Sequence, residues 1–372
     1  MIIDKELDTI LQYKPNVKEK TSFEDKQIIL YGAGAMGQMA LDFIDKIDII
    51  PKYFIDKNKK GQVKNIKILS PFDISVKDKE NSLFIICIVK ASLNEITLEL
   101  QDFGFKNIIH FYDYSNLFLS DFLTNGWDKF TLSNEEIEKI KFILKKLSHD
   151  EISTKHYLQF LWWRLKKIEK VYENVSILHD KKYFNAPCFV KLNSVERYLD
   201  VGAHHGTTIQ HFLEASNNNF DFIWAIEPDI NNFDILKSSI TNISSSKISL
   251  YNNAISNKEG NLKFIDKLSF ASKIDIKGIK EVKTNKIDNL NLNPTIIKLH
   301  IEGQELNALK GAKKTIEKHR PIIMVLADHN EDGLYDIPNF LINITNYELF
   351  FYLHDYCGNS AIFYAIPKER LF

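Results

Sequence analysis

The chain has 372 residues, long for one folding unit and sufficient for two with separate cores. Hydrophobic residues make up 44% and charged residues 26%, with a formal net charge of -1, which speaks against the basic footprint of a nucleic-acid binder. Cys87, Cys188 and Cys357 are too few and too scattered for a disulfide framework or a four-ligand zinc cluster, and they fit a reducing compartment.

The N-terminus, Met1-Ile-Ile-Asp-Lys-Glu, carries acidic residues where a signal peptide needs positive charge and then an apolar run. The longest apolar stretches, such as Leu83 to Val89, have the length of a strand, not of a membrane span. These features predict a soluble cytoplasmic protein, and the abundance of Ile, Lys and Asn points to an AT-rich bacterial genome.

Up to about residue 115 strand-like and helix-like stretches alternate. Gln27 to Tyr31 reads as a buried strand, followed by Gly32-Ala-Gly34-Ala-Met-Gly37 and a helical pattern through Asp45. Pro51 to Asp56, Leu83 to Val89 and Asn107 to Phe111 read as further strands, an order that predicts a parallel sheet with crossover helices. The glycine turn has the full dinucleotide fingerprint between strand and helix, with Asp56 at the right distance for a ribose. Gly32, Gly34, Gly37 and Asp56 are therefore candidate nucleotide-binding residues, with a degenerate scaffold or dimerisation role as the alternative.

From about 116 to 180 strand signals stop. Asn134 to Leu147 has apolar residues at helical spacing with Ser133 as N-cap, and Thr154 to Tyr172 continues as helix. Trp162 and Trp163 are expected to pack on a neighbouring domain or subunit.

Alternation then resumes. Ser194 to Val201, Phe220 to Ile226, Ile248 to Ala254, Thr295 to Ile301 and Pro321 to Ala327 read as strands. Thr207 to Ala215, Ile230 to Ile240 and Glu305 to Lys318 read as helices, and Asn261 to Ile265 as an excursion. Tyr347 to Leu353 and Ala361 to Ile366 suit a closing antiparallel pair. The expected architecture is α/β: two Rossmann-like domains (1–115 and 181–372) joined by a helical connector (116–180), the second a seven-stranded methyltransferase fold.

The turn Asp200-Val-Gly202-Ala203-His204-His-Gly206 follows an apolar strand and opens a helix, as a nucleotide-type site requires. Gly202 permits a tight turn, and Gly206 permits close packing of helix on strand. His204 occupies the place of the glycine that meets a pyrophosphate, which favours a phosphate-free ligand such as S-adenosylmethionine. Asp200 is then a candidate acceptor for that ligand's ammonium, Glu227 for its ribose hydroxyls, and Asn253-Ala254 for its adenine edge.

Tyr198-Leu-Asp-Val-Gly-Ala-His-His-Gly-Thr-Thr, Ala225-Ile-Glu-Pro-Asp, Asn253-Ala-Ile-Ser-Asn-Lys-Glu-Gly, Lys283-Thr-Asn-Lys-Ile-Asp-Asn-Leu and Ile297-Lys-Leu-His-Ile-Glu-Gly-Gln-Glu-Leu-Asn-Ala-Leu-Lys-Gly-Ala occur in this order. Together they resemble the FkbM-type methyltransferases over about 181–366. The resemblance implies methyl transfer from S-adenosylmethionine to oxygen, often on sugars of capsules, lipopolysaccharide or secondary metabolites. Ile29-Leu-Tyr-Gly-Ala-Gly-Ala-Met-Gly and Tyr53-Phe-Ile-Asp-Lys-Asn also look like the small Rossmann domains of bacterial sugar-modifying enzymes.

One departure from the family pattern stands out. The family reads Lys-x-Asp-x-Glu-Gly at the end of the fourth strand, and this chain has Lys298-Leu-His300-Ile-Glu302-Gly303. His300 there is a candidate general base, since an imidazole titrates near neutral pH. Glu302 and His329 are its expected neighbours and further catalytic candidates. His300, Glu302, Asp328 and His329 are also candidate ligands of a divalent metal, while His354 reads as structural. The expected acceptor is a hexose or heptose, nucleotide-activated, for surface polysaccharide; a homo-oligomer is compatible with the sequence. An NAD-linked oxidoreductase or epimerase led by the first domain, and a non-catalytic nucleotide-binding protein, are the rival expectations.

Overall fold

Two series of strand-long apolar runs set the two main sheets, of six and seven strands. The computed structural model describes residues 2–14, 23, 25–118, 127–129, 131–180, 182–189, 191–241, 243–265, 273–274 and 280–371. Residues 119–126 and 130 of the predicted connector lie outside that set.

Helix α1 (Ile2–Gln12) was not among the predicted elements. Strand β1 (Ile28–Tyr31) and helix α2 (Ala35–Asp45) flank the first glycine turn. Strands β2 (Phe54–Ile55), β3 (Gly61–Val63) and β4 (Ile66–Leu69) follow, then α3 (Val76–Asn81), β5 (Leu83–Ile86), α4 (Leu93–Asp102), β6 (Asn107–His110) and α5 (Phe111–Ser115). The sheet order is β3-β4-β2-β1-β5-β6, parallel except for the edge strand β3. The four predicted strands are present. The β3–β4 hairpin escaped notice because an exposed, lysine-rich edge lacks an apolar run.

Helices α6 (Asn134–Leu147) and α7 (Glu151–Lys166) come next. Ser133 and Glu136 close a reciprocal capping box on α6, which satisfies two otherwise orphaned N–H groups. Helix α7 stops at Lys166, six residues before the predicted end at Tyr172, with Lys167 left-handed as its C-cap. Ile140, Ile143, Leu147, Tyr157 and Leu161 are buried in the core on one face of the C-terminal sheet, so α6 and α7 cover that sheet. Leu7 and Ile10 bring α1 into the same core. Trp162 packs edge-on against Tyr13, and Trp163 joins the core of the first sheet; both partners are within the chain.

The third region contains β7 (Arg197–Val201), α8 (Thr207–Ala215), β8 (Phe222–Ile226), α9 (Ile230–Ser239) and β9 (Ile248–Tyr251). A small sheet then intervenes, with β10 (Ala254–Ile255), β11 (Gly260–Ile265), β12 (Lys273–Ile274) and β13 (Lys280–Asn285) in the order β10-β13-β11-β12. The expected strand Ile248 to Ala254 is thus two strands in different sheets. Strand β14 (Ile296–Leu299) is followed by α10 (Glu305–Lys310) and α11 (Lys313–His319), where one helix was predicted. The break falls at Gly311, whose added Cβ would stand 2.4 Å from the Ser256 carbonyl oxygen, so the small sheet presses on that turn. Strand β15 (Ile322–Leu326), α12 (Asp336–Ile342), β16 (Tyr347–Leu353) and β17 (Ala361–Pro367) complete the chain.

The large sheet runs β16-β17-β15-β14-β7-β8-β9, with β17 antiparallel to both neighbours and the other pairs parallel. Its central strands are buried on both faces, as helix-covered parallel strands must be. The carboxyl ends of β7, β8, β14 and β15 therefore lie side by side, the place where such sheets bind ligands. Among the described residues no helix is long and apolar enough to cross a membrane.

Candidate functional site

A cavity of about 290 Å³ opens over those strand ends. Ala203, His204, Glu227, Asn253 and Ala254 line one part of it, and Tyr183, Lys298, His300 and Glu302 another. Of the predicted site residues of this domain, Gly202, Ala203, Glu227, Asn253, Ala254, His300 and Glu302 line it, and Asp200, Gly206 and His329 stand behind.

Gly202 has φ +82°, and a Cβ on it would stand 1.9 Å from the His300 carbonyl oxygen. The first turn and the end of the fourth parallel strand meet there, backbone on backbone. Gly202→Ala is expected to cost about 1–2 kcal/mol from its left-handed backbone alone, and more because a carbonyl cannot swing aside as a side chain can. A thermal melt of the variant at or above the wild-type midpoint would refute this contact. Gly206 has φ +83° and opens α8, but its Cβ would meet Ser239 Oγ at 2.7 Å. It seats α8 against α9, not against the strand as expected.

Glu227 is buried at the end of β8. Its Oε2 accepts the His204 N–H at 2.8 Å and its Oε1 the Asp229 N–H at 3.0 Å. Burial raises its pKa despite those two hydrogen bonds. Each oxygen keeps a free lone pair, so the carboxylate can still accept from a diol in the cavity. Asn253 lies between β9 and β10, not in a strand, and its amide donates to the Ala254 carbonyl at 2.9 Å.

Asp200 is fully buried and sits behind the cavity wall. Register pairs it with Lys298, whose ammonium lies 2.7 Å from Asp200 Oδ1 and donates to the Gly202 carbonyl at 2.7 Å. Asp200 Oδ1 thus holds Lys298, and Lys298 holds the turn, while Asp200 Oδ2 makes no hydrogen bond among the described residues.

Across the cavity, His300 Nε2 and His329 Nε2 lie 3.5 and 3.4 Å from the same oxygen, Glu302 Oε1. His300 Nδ1 is 3.3 Å from the Tyr183 hydroxyl, and His329 Nδ1 is 2.8 Å from Glu305 Oε1. Enclosure lowers the pKa of His300 against the pull of Glu302, with the Lys298 charge acting in the same sense as enclosure. Burial opposes charge on His329 too, but Glu302, Glu305 and Asp328 outweigh it and hold its pKa well above the usual value. Burial likewise opposes charge on Glu302, and the two histidines overcome it. Tyr183, His204 and Glu302 all have left-handed backbones, a clustering of strain typical of sites held by their surroundings.

Asp328 turns partly away from this cluster. Its Oδ2 accepts the Ser360 N–H at 2.7 Å, and its Oδ1 is 3.8 Å from His329 Nε2. His354 is structural as expected, with one ring nitrogen 2.8 Å from the Leu178 carbonyl and the other 2.9 Å from the Tyr364 hydroxyl.

In the first domain, Asp56 accepts the Ala33 N–H at 2.8 Å and the Asn58 and Lys59 N–H groups at 2.9 Å each. Lys59 Nζ also donates to the Ala33 carbonyl. The carboxylate expected to read a ribose ties the glycine turn to its own loop. Gly37 serves packing: its Cβ would stand 2.0 Å from the Gly32 carbonyl oxygen.

Sequence reasoning left out Tyr183, Lys298 and Glu305. Lys298 carried a signal, since a lysine inside the apolar strand Ile296–Leu299 must find a buried partner. Tyr183 carried none, because it reaches His300 from 117 residues away.

The family model described as "Methyltransferase FkbM domain" matches residues 200–366. The crystal structure of a methyltransferase FkbM from Methylobacillus flagellatus KT superposes with a TM-score of 0.68 at 17% identity. It covers 97% of this chain and 93% of that one, and speaks for the shared fold of both sheets. A precorrin-6y C5,15-methyltransferase from Geobacter metallireducens GS-15 is similar at 14% identity and TM-score 0.28, over 47% of this chain and 80% of that one. No curated protein matches the sequence. Residues 200–366 therefore form a C-terminal methyltransferase domain of the FkbM type.

Proposed function

We propose that the protein moves a methyl group from S-adenosylmethionine to a hydroxyl of a sugar, a nucleotide-activated hexose or heptose of surface polysaccharide. The observation that carries this reading is one cavity bounded by Glu227 and Asn253 on one side and by His300 and Glu302 on the other. S-adenosylmethionine supplies an electrophilic methyl group when bound. Glu227 holds the ribose hydroxyls, Ala203 and the His204 backbone form the floor, and Asn253 and Ala254 meet the adenine. Asp200 acts one step back, through Lys298.

His300 is favoured over His329 as the proton acceptor. Both nitrogens of His329 face carboxylates, which keep it charged. Enclosure lowers the pKa of His300, its side chain is partly open, and its contacts of 3.3 and 3.5 Å are long enough to exchange for a substrate hydroxyl. An acceptor O–H bonded to its ring gives up the proton to a group whose new charge Glu302 offsets.

Glu227→Ala removes a buried carboxylate acceptor, so donor affinity is expected to fall about ten- to a hundredfold by calorimetry. Incubation with candidate nucleotide sugars should release S-adenosylhomocysteine. Donor binding with no product from any sugar would remove the sugar acceptor; absence of donor binding in the folded protein would remove methyl transfer itself.

A further inference from the structure

Glu302 Oε1 faces two imidazole nitrogens at 3.4 and 3.5 Å, and the three donor atoms of His300, Glu302 and His329 all lie within 4.8 Å of one another. Those contacts are longer than good charge-assisted hydrogen bonds, which run near 2.7–2.9 Å. They leave room at the centre for an ion about 2.0–2.2 Å from each donor.

The surroundings are built to aim the donors inward. Glu305 Oε1 accepts from His329 Nδ1 at 2.8 Å, which turns Nε2 toward the cluster; a carboxylate behind a histidine is the usual support of a metal ligand. Glu305 is itself fixed by the N–H groups of Ile301 at 2.8 Å and Gly303 at 3.0 Å. A separate observation points the same way. Asp328 Oδ1 is buried, has no hydrogen-bond partner among the described residues, and lies 3.8 Å from His329 Nε2. A buried carboxylate oxygen without a hydrogen bond is costly, and the imidazole at 3.8 Å is too far away to donate one.

We infer that His300, Glu302 and His329 bind one divalent transition-metal ion, which displaces the Nε2 proton of His329 into water, with Asp328 as a further oxygen beside it. Two imidazoles and a carboxylate select Zn²⁺ or Mn²⁺ over Ca²⁺, which prefers an all-oxygen shell. His300 and Glu302 line the cavity, so the open side of the ion faces the acceptor. Its role, though not its binding, rests on the methyl-transfer reading. A hydroxyl oxygen on the ion is acidified: its O–H bond breaks and the proton passes to water. The new O–C bond then forms as the donor's S–C bond breaks, with no change of oxidation state. With the ion seated, His300 is a ligand and the proton no longer needs it.

The test is calorimetry of chelator-treated full-length protein with ZnCl₂ and MnCl₂ alone. One ion per chain is expected, with binding lost in His300→Ala and in Glu302→Gln. His300 is partly exposed, so its variant is the one best placed to stay folded. Glu305→Gln keeps all the donors and is expected to weaken affinity about 10–100-fold. Cobalt loading gives a second readout, since an intense visible band, far stronger than the weak one of the aqueous ion, requires protein ligands in a low-coordinate site. A folded chain that binds neither ion at micromolar levels, or binding unchanged in both ligand variants, would overturn the inference. Intact S-adenosylmethionine binding in that same sample would leave the proposed function standing.

Discussion

Lys298→Met is expected to lower the unfolding free energy by about 3–5 kcal/mol, the cost of breaking a buried ion pair from one side. The ammonium is 2% exposed and the Asp200 carboxylate fully buried, so neither finds water when the other is removed. The methionine also leaves the Gly202 carbonyl without its donor. The second replacement, Asp200→Asn in the same chain, removes the stranded charge. The double variant should therefore be more stable than the sum of the single effects by about 1–3 kcal/mol. Chemical denaturation followed by circular dichroism measures all four corners of this cycle. Additive effects would mean that the two groups do not depend on each other. Below the melting range, Lys298→Met should also bind the donor weakly, because the turn carrying Ala203 and His204 has lost its anchor.

That pair shows which parts of the site a sequence can carry. The glycine turn was legible because it is local: Gly202 and Gly206 have the left-handed backbones that their spacing suggests. Glu227 was legible because strand order places the end of β8 beside that of β7. The convergence of His300, Glu302 and His329 followed from the adjacency of β14 and β15, which the fold expectation already contained. The partner of Asp200 was not legible by spacing, since it depends on the register of β7 against β14. Helix α1 was missed because eleven residues at a terminus show helical character only once α7 supplies a surface. The bonds of Asp56 were not legible either: a carboxylate at the end of a second strand fits the fingerprint, but spacing does not show that it also accepts three N–H groups of its own turn and loop.

Arg164→Met is the other substitution with a large expected effect, because it acts where the two sheets and the site meet. Arg164 is fully buried on α7. Its guanidinium donates to the carbonyls of Trp127 at 3.0 Å, Asp328 at 3.2 Å and Gly358 at 2.9 Å, and lies 4.5 Å from the Trp127 ring centre. Gly358 belongs to the turn between β16 and β17, which also docks on the first sheet. There Tyr356 N–H donates to Val89 at 2.7 Å and Tyr112 hydroxyl to Asn359 at 3.3 Å. The Gly358 carbonyl loses its side-chain donor, while that of Asp328 keeps the Trp127 indole N–H at 2.8 Å and that of Trp127 keeps the Lys167 ammonium at 3.2 Å, so the variant is expected to lose about 1–3 kcal/mol. Arg164→Lys should recover little, because a single ammonium cannot span three carbonyls that a planar fork reaches together. Arg164 is a positioning residue: it fixes the backbone of Asp328, next to His329, and touches nothing on the donor wall. Methyl transfer should therefore fall in kcat while donor affinity stays near wild type. If donor affinity fell in step with kcat, the damage would be general and the link from α7 to the acceptor end of the cavity would be refuted.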